Sequence, residues 1–401
     1  MLMQGTRGRN KQPVLFLLGF LFYVFYVILT NVTKTFGITD IYYAIVLLFC
    51  LSEIKLIKRV KSIPWELWLY LGIIVGGQIL MNGAPLLFLR AFFKIFVSII
   101  LVLYIIGNPQ TRMDSYLKGL LWGAFFTCFY LFAYASGDYV KDGSADVRRS
   151  LEFFGISESG FMSCITYFGG LCYYLTKRKK KYLLVMATGI AVAFYTVSKN
   201  AIASLFIITV LLILIQNGIK INKGILALFA VFAIVLFYFS DSFSVIEEQV
   251  SIGTDDVGSN GDFSINGRGF IWAAALQIYS TSPLLGYGYY GGIQKLMDFL
   301  GDNYFQAHNL IVHSLLTVGL IGTFSLILCY FKLIHKLRRL FYANKKNPLY
   351  LWYLCYAMYV ITRGVTEGSI AQMSSFDSFF FFIIAIIVNF LYKQINLSAN
   401  K

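Results

Sequence analysis

Charged side chains are scarce in this sequence: they make up 13% of its 401 residues, against roughly a quarter in an ordinary soluble domain. A chain so poor in charge cannot cover a water-facing surface, which excludes a soluble globular fold. Cysteine is scarce too. The six (Cys50, Cys128, Cys164, Cys172, Cys329 and Cys355) fall inside apolar stretches and show no metal-ligand spacing, so neither a zinc site nor an outer disulfide framework is indicated. No cluster of Asp, Glu and His has metal-ligand spacing. No P-loop is present, and no glycine-rich pattern is set between a strand and a helix as a nucleotide cradle requires, so no nucleotide site is legible. Internal repeats are also missing, which argues against a transporter built from inverted halves.

What the sequence does have is hydrophobicity, at 58% of residues with a mean hydropathy of +0.70. It is gathered in blocks long enough to cross a hydrocarbon core of roughly 30 Å as helix. In lipid the backbone must satisfy its own hydrogen bonds, so the blocks are helices rather than strands. About twelve spans are predicted, near residues 14–33, 38–53, 65–82, 86–107, 116–136, 158–176, 182–198, 200–217, 224–240, 307–331, 349–366 and 377–393. Arg7, Arg9 and Lys11 precede the first block as in a signal peptide, but no small-residue cleavage site follows, so an uncleaved first span is expected.

The net charge of +15 is mostly a topology signal. Counting from a cytoplasmic N-terminus, alternate loops hold Lys55, Lys58, Arg59 and Lys61, then Arg112 and Lys118. The same side holds Lys177-Arg178-Lys179-Lys180-Lys181, then Lys220 and Lys223, then Lys332, Lys336, Arg338, Arg339, Lys345 and Lys346. The intervening loops are poor in basic residues, so both termini are expected in the cytoplasm. Basic clusters this short, interleaved with spans, give no case for a nucleic-acid partner.

Three regions are expected. Residues 1–240 form a bundle of about nine helices with a small outer loop near 137–157. Residues 241–306 form one large extracytoplasmic loop, and residues 307–401 add about three helices. The first part of the large loop is polar. Residues 269–280 are helix-compatible, with Asn266 as an N-cap and Pro283 beyond the end. After a turn-rich stretch, Ile293, Leu296, Met297 and Leu300 recur at helical spacing, which suits a helix lying on the membrane or the bundle.

Charges at the outer ends of the spans are the candidates for chemistry, because charge near the hydrocarbon is costly. They are Arg148, Arg149, Lys199, Arg268, His308, Arg363 and Glu367, with Arg90 and Lys94 on one face of the fourth span. Cations gathered on the side that topology otherwise keeps poor in them suit an anionic ligand, and guanidinium groups bind phosphate oxygens bidentately. His308, in Ala307-His308-Asn309, stands where the large loop re-enters the membrane; it is either a general base or a residue that ends a span. Arg268 either holds an anion or is solvated. Arg148 and Arg149 are adjacent and point apart, so one of them faces a ligand. For Lys199, snorkelling competes with ligand binding. For Arg90 and Lys94, structural pairing competes with diphosphate contact. Arg363 and Glu367, four apart, read as a mutual ion pair. His313 need not share the face of His308, and His335 belongs to a cytoplasmic cluster. On an outer face without nucleotides an enzyme needs a substrate already activated, and a lipid-diphosphate sugar is one.

The ordered segments Asn266-Gly267-Arg268-Gly269-Phe270-Ile271-Trp272, Ser282-Pro283-Leu284-Leu285-Gly286-Tyr287-Gly288, Ala307-His308-Asn309 and Val318-Gly319-Leu320-Ile321-Gly322 resemble the signature of the O-antigen ligase and polymerase family. The strong resemblance covers roughly residues 266–322. It implies an all-α polytopic membrane protein of about 12 transmembrane helices, similar in architecture to C-type glycosyltransferases. Arg268 resembles the family's loop arginine, His308 its essential histidine, and Arg148 or Arg149 the arginine of the smaller outer loop. Asn309 follows the histidine as a supporting residue. Ser198-Lys199 stands where the family often has Ser-Arg, and this lysine keeps the charge without the bidentate fork. Ser157-Glu158-Ser159 stands where many members show Pro-Asn.

The resemblance implies a metal-independent, inverting glycosyl transfer on the outer face of a bacterial plasma membrane, with no cofactor. His308 and Arg268 would be catalytic, with Arg148, Arg149, Lys199 and Arg268 on the diphosphate. Undecaprenyl-diphosphate-linked oligosaccharides would be donor and acceptor in a polymerase, with membrane lipids, a flippase and chain-length regulators as partners. A ligase with another acceptor and a flippase for the same lipid-linked sugars are the alternatives.

Overall fold

The computed structural model describes residues 12–33, 37–51, 59–82, 86–134, 156–196, 198–216, 268–301, 306–345, 347–365, 367 and 376–399. Every regular element among them is helical. Helix α1 (Gln12–Tyr23) continues through a π-helical stretch (Val24–Leu29) into Thr30–Thr33. It is followed by α2 (Ile38–Leu51), α3 (Trp65–Asn82), α4 (Leu86–Ile105), α5 (Asp114–Tyr134), α6 (Ile156–Lys177), α7 (Lys181–Tyr195) and α8 (Lys199–Gln216). Then come α9 (Arg268–Ser280), α10 (Tyr289–Leu300), α11 (Leu310–Ala343), α12 (Pro348–Gly364) and α13 (Phe376–Ala399). The expected span at 224–240 lies outside the described residues.

Among the described residues five helices are long and apolar enough to cross a membrane: Gln12–Leu29, Phe88–Ile105, Thr111–Ala133, Leu310–Ala343 and Ser378–Asn396. Four shorter apolar helices accompany them: Ile38–Leu51, Trp65–Leu80, Lys181–Tyr195 and Asn200–Ile215. Large apolar side chains also face outward, among them Leu48, Leu80, Phe324 and Phe331. Water would penalise that surface, whereas hydrocarbon accepts it. All six cysteines are buried.

All the helices but α9 contribute to one apolar core, and polar contacts at their tips fix which ends lie together. At one end Lys332, late in α11, pairs with Glu66 at the start of α3. Nearby, Lys336 donates to Asn389 of α13, Asn389 donates to the Ser62 carbonyl, and Lys393 donates to the Lys61 carbonyl. Helix α3 therefore runs antiparallel to α11, so the end of α3 and the start of α4 lie toward the start of α11. At that other end Ser204 of α8 meets Thr362 of α12 at 2.7 Å, and Phe161 of α6 lies beneath Arg363.

Helix α11 differs most from expectation. At 34 residues it is about 51 Å long at 1.5 Å per residue, and it carries a break at Gly319 (φ 63, ψ −168). The segment between α9 and α10 fills that break. Leu320 N–H donates to the Pro283 carbonyl (2.8 Å), Ile321 N–H to the Leu284 carbonyl (3.2 Å) and Tyr287 N–H to the Leu316 carbonyl (3.2 Å). The broken helix thus finds partners for its backbone groups, as burial in an apolar bundle demands. Gly286 also has positive φ (65°), and a Cβ there would sit 2.6 Å from Gly319 N. Each glycine leaves room for the other, and this is the physical content of the two glycine-bearing segments.

The docked segment carries α9 and α10 with it. Ile271, Ala274 and Ala275 of α9, Leu296 of α10, Leu316 of α11 and Ala307 form a second apolar cluster. The first turn of α10 is held to α3, where the buried Gln78 side chain accepts from Tyr290 N–H at 2.8 Å. Arg268, at the head of α9, is thereby fixed relative to the start of α11.

Candidate active site

The start of α11 is built to be rigid. Asn309 is its N-cap, and its side-chain oxygen accepts from Ile311 N–H (2.9 Å) and Val312 N–H (3.1 Å). That satisfies donors a helix start leaves open. The same side chain donates from Nδ2 to the Val365 carbonyl at 3.3 Å, which ties the start of α11 to the end of α12. Just before the cap, His308 adopts φ 47°, a left-handed conformation uncommon for a residue with a side chain. His313, fully buried one turn inside α11, accepts the Ala307 N–H through Nδ1 at 3.5 Å. Its Nε2 has no partner among the described residues.

Four ionisable groups converge there. His308 Nδ1 lies 3.5 Å from Glu367 Oε2, and Arg268 Nη2 lies 4.0 Å from Glu367 Oε1. Gln306 Nε2 donates to Glu367 Oε2 at 3.4 Å. Arg363 is buried over the Phe161 ring at 5.4 Å, donates to the Tyr359 hydroxyl, and accepts Glu367 N–H through its carbonyl at 2.9 Å. Burial pushes the Glu367 carboxyl up, but the His308 contact and the charges of Arg363, His308 and Arg268 outweigh it and hold the group below its ordinary value. The carboxylate is therefore ionised among cations. Arg268, His308 and Glu367 keep 23%, 27% and 14% of their side chains exposed, so a ligand can reach them.

This is a histidine whose Nδ1 lies 3.5 Å from a carboxylate that also feels the charges of Arg268 and Arg363. Such a set can accept a proton from a hydroxyl and neutralise an anionic leaving group. Among the described residues no three His, Cys, Asp or Glu side chains gather as a metal site.

Of the residues singled out by the sequence, the structure brings Arg268, His308, Asn309, Arg363 and Glu367 together. Lys199 heads α8, whose first turns pack beside the end of α12, so its backbone stands at the same end of the bundle. Arg148 and Arg149 lie outside the described residues. Arg90 and Lys94 are elsewhere at this end, on Asp40. Two partners of these residues, one in this site and one outside it, escaped the sequence reading. Gln306 gave no signal beyond its position two residues before the histidine, and Asp40 none beyond being an acid at the mouth of an apolar block.

Residues 183–327 match the family model described as O-Antigen ligase. The family resemblance carried by the Arg268 and His308 segments is thus found over the matched region. That region holds both residues, the α9–α10 segment and the break in α11, whereas Arg363 and Glu367 lie beyond it. No curated protein matches the chain.

Proposed function

We propose that the chain is a glycosyltransferase of the O-antigen ligase and polymerase type, acting as a polymerase of polyprenyl-diphosphate-linked oligosaccharide repeats. The observation that carries the reading is the convergence of His308, Glu367 and Arg268 at one end of a membrane-type bundle. The family match over residues 183–327 and the apolar helices support it. An apolar groove of about 510 Å³ supports it too. It starts at Asn309, Gly364 and Val365 and descends past Ile327 to Phe331 and Ile334, so a lipid tail can lie along it with its head at the cations.

In this reading the site faces outward and both termini are cytoplasmic. His308 takes the proton of an acceptor sugar hydroxyl on its Nε2. The hydroxyl oxygen attacks the anomeric carbon of the donor from the face opposite the diphosphate, and the anomeric C–O bond breaks. Polyprenyl diphosphate leaves with the bonding electrons, and the anomeric centre inverts. Glu367, at His308 Nδ1, holds the imidazole in place and stabilises its protonated form, as the acid of a hydrolytic triad does. Arg268 neutralises the departing diphosphate, with Lys199 and one of Arg148 and Arg149 as further contacts. The cations supply the charge neutralisation that a metal provides elsewhere.

The test is reconstitution with a purified lipid-linked repeat unit and no nucleotide. Ladders of lengthening lipid-linked glycan are expected, and they should persist in the presence of a chelator. Transfer only to a different acceptor would make the protein a ligase. Movement of the lipid across the bilayer without new bonds would make it a flippase and end the enzymatic reading.

A further inference from the structure

The same end of the bundle holds a second group of charges outside this site. Asp40 lies in the first turn of α2, and Arg90 and Lys94 lie one turn apart on α4. Arg90 Nε donates to Asp40 Oδ2 at 2.5 Å, Lys94 Nζ lies 3.3 Å from Asp40 Oδ1, and Lys94 also donates to Thr39 Oγ1 at 2.7 Å. The Lys94 ammonium sits between the Tyr26 and Tyr43 rings, 5.9 and 5.8 Å from their centroids. Two cations meet this one carboxylate directly, while Glu158 acts electrostatically on Tyr26 of the same cluster, and charge beside apolar helix is costly to keep.

The Arg90 guanidinium is open on one side. Asp40 engages only Nε of Arg90, and neither Nη group has a partner among the described residues. The Arg90 side chain is 31% exposed. An open guanidinium fork with an ammonium one turn away suits a phosphate or diphosphate, which the fork meets bidentately. Arg90 also acts electrostatically on Tyr290 in the first turn of α10, and α10 packs on α9 and α11, which carry the other cluster.

We propose that Arg90 and Lys94 form a second diphosphate site, distinct from Arg268–His308–Glu367, that holds the acceptor lipid while the first holds the donor. The inference rests on the polymerase reading, because joining two lipid-linked glycans requires two diphosphates to be bound at once. Asp40 then keeps the two cations in place when the site is empty and competes with the incoming anion.

The test is equilibrium binding of radiolabelled farnesyl diphosphate to the full chain in phosphatidylcholine nanodiscs. Wild type should bind two equivalents. Arg90→Gln should remove one and Arg268→Ala the other, while Lys295→Gln, a cation outside both clusters, should bind as wild type does. Asp40→Asn keeps the side chain's shape and removes the competing charge, so it should tighten the second site about fivefold or more. Weaker binding in Asp40→Asn, or one equivalent in wild type that Arg90→Gln leaves intact, would overturn the second site. Failure of Arg268→Ala to remove a site would instead sink the donor reading. Inorganic diphosphate should compete at the Arg90 site only at about tenfold higher concentration or more, since it lacks the apolar tail; equal affinity would overturn the assignment to a lipid-linked acceptor.

Discussion

His308 Nδ1 stands 3.5 Å from Glu367 Oε2, across the seam where the start of α11 meets the end of α12. The two residues stand just outside different helices, and the Asn309 side chain, bonded to the Val365 carbonyl, holds that seam closed. If Glu367 orients the imidazole, removing either group should cost chemistry more than substrate binding. His308→Ala is expected to lower kcat about 10²–10⁴-fold. Glu367→Gln keeps the shape but loses the charge, and is expected to lower kcat about a hundredfold or more. Both should retain KM within a few fold in the reconstituted transfer assay. A full-rate Glu367→Gln enzyme would remove the carboxylate from the mechanism.

The lowered pKa of Glu367 fixes the sign of a pH effect on stability. The folded chain holds this carboxylate ionised to a lower pH than the unfolded chain does. Its contribution is therefore full above the ordinary carboxylate value of 4.5 and is lost as pH falls through the lower folded value. Thermal unfolding in detergent from pH 7 to pH 3 should show Glu367→Gln converging on wild type at the acid end. A gap that widens below pH 4.5 would contradict the assignment.

The contact between Gly286 and Gly319 should be felt as a fold effect. Alanine at either position meets positive φ, which costs about 1–2 kcal/mol, and its Cβ falls 2.5–2.6 Å from the other glycine's nitrogen. Gly286→Ala and Gly319→Ala are each expected to destabilise by about 2–4 kcal/mol. The double variant should cost clearly less than the sum, because one lost docking is shared. Denaturant unfolding of the three variants checks it, and strict additivity would mean that the two glycines act separately.

These residues also show where reading the sequence stopped. Arg268 and His308 were legible because a polar residue next to an apolar block must be explained. The role of Glu367 was not, because Arg363 offered a mate at helical spacing and that rule presumes an unbroken helix. Helix α12 ends at Gly364, and Glu367, besides feeling the charge of Arg363, reaches two residues from other segments. Asp40 was overlooked for the related reason that its partners, Arg90 and Lys94, lie far along the chain. The stretch around Gly319 read as continuous span since its composition is apolar throughout. The break is specified only jointly with the docked segment at Gly286, and periodicity within one segment carries no trace of it.

His313 offers a test of how the histidine turn is held. It is fully buried, yet it is polar, and its Nε2 lacks a partner among the described residues. A buried polar group without a partner costs about 1–3 kcal/mol, so a leucine of similar bulk would serve packing at least as well. What leucine cannot do is accept the Ala307 N–H, which His313 Nδ1 does at 3.5 Å one residue before the left-handed His308. His313→Leu is therefore expected to leave the unfolding temperature equal or higher while lowering kcat about tenfold, which corresponds to about 1.4 kcal/mol of lost positioning. His313→Gln, whose carboxamide oxygen can accept the same N–H, should recover most of that loss. Equal activity in the leucine variant would show that Asn309 alone holds the turn. A lower unfolding temperature with unchanged kcat would place His313 in the packing rather than the site.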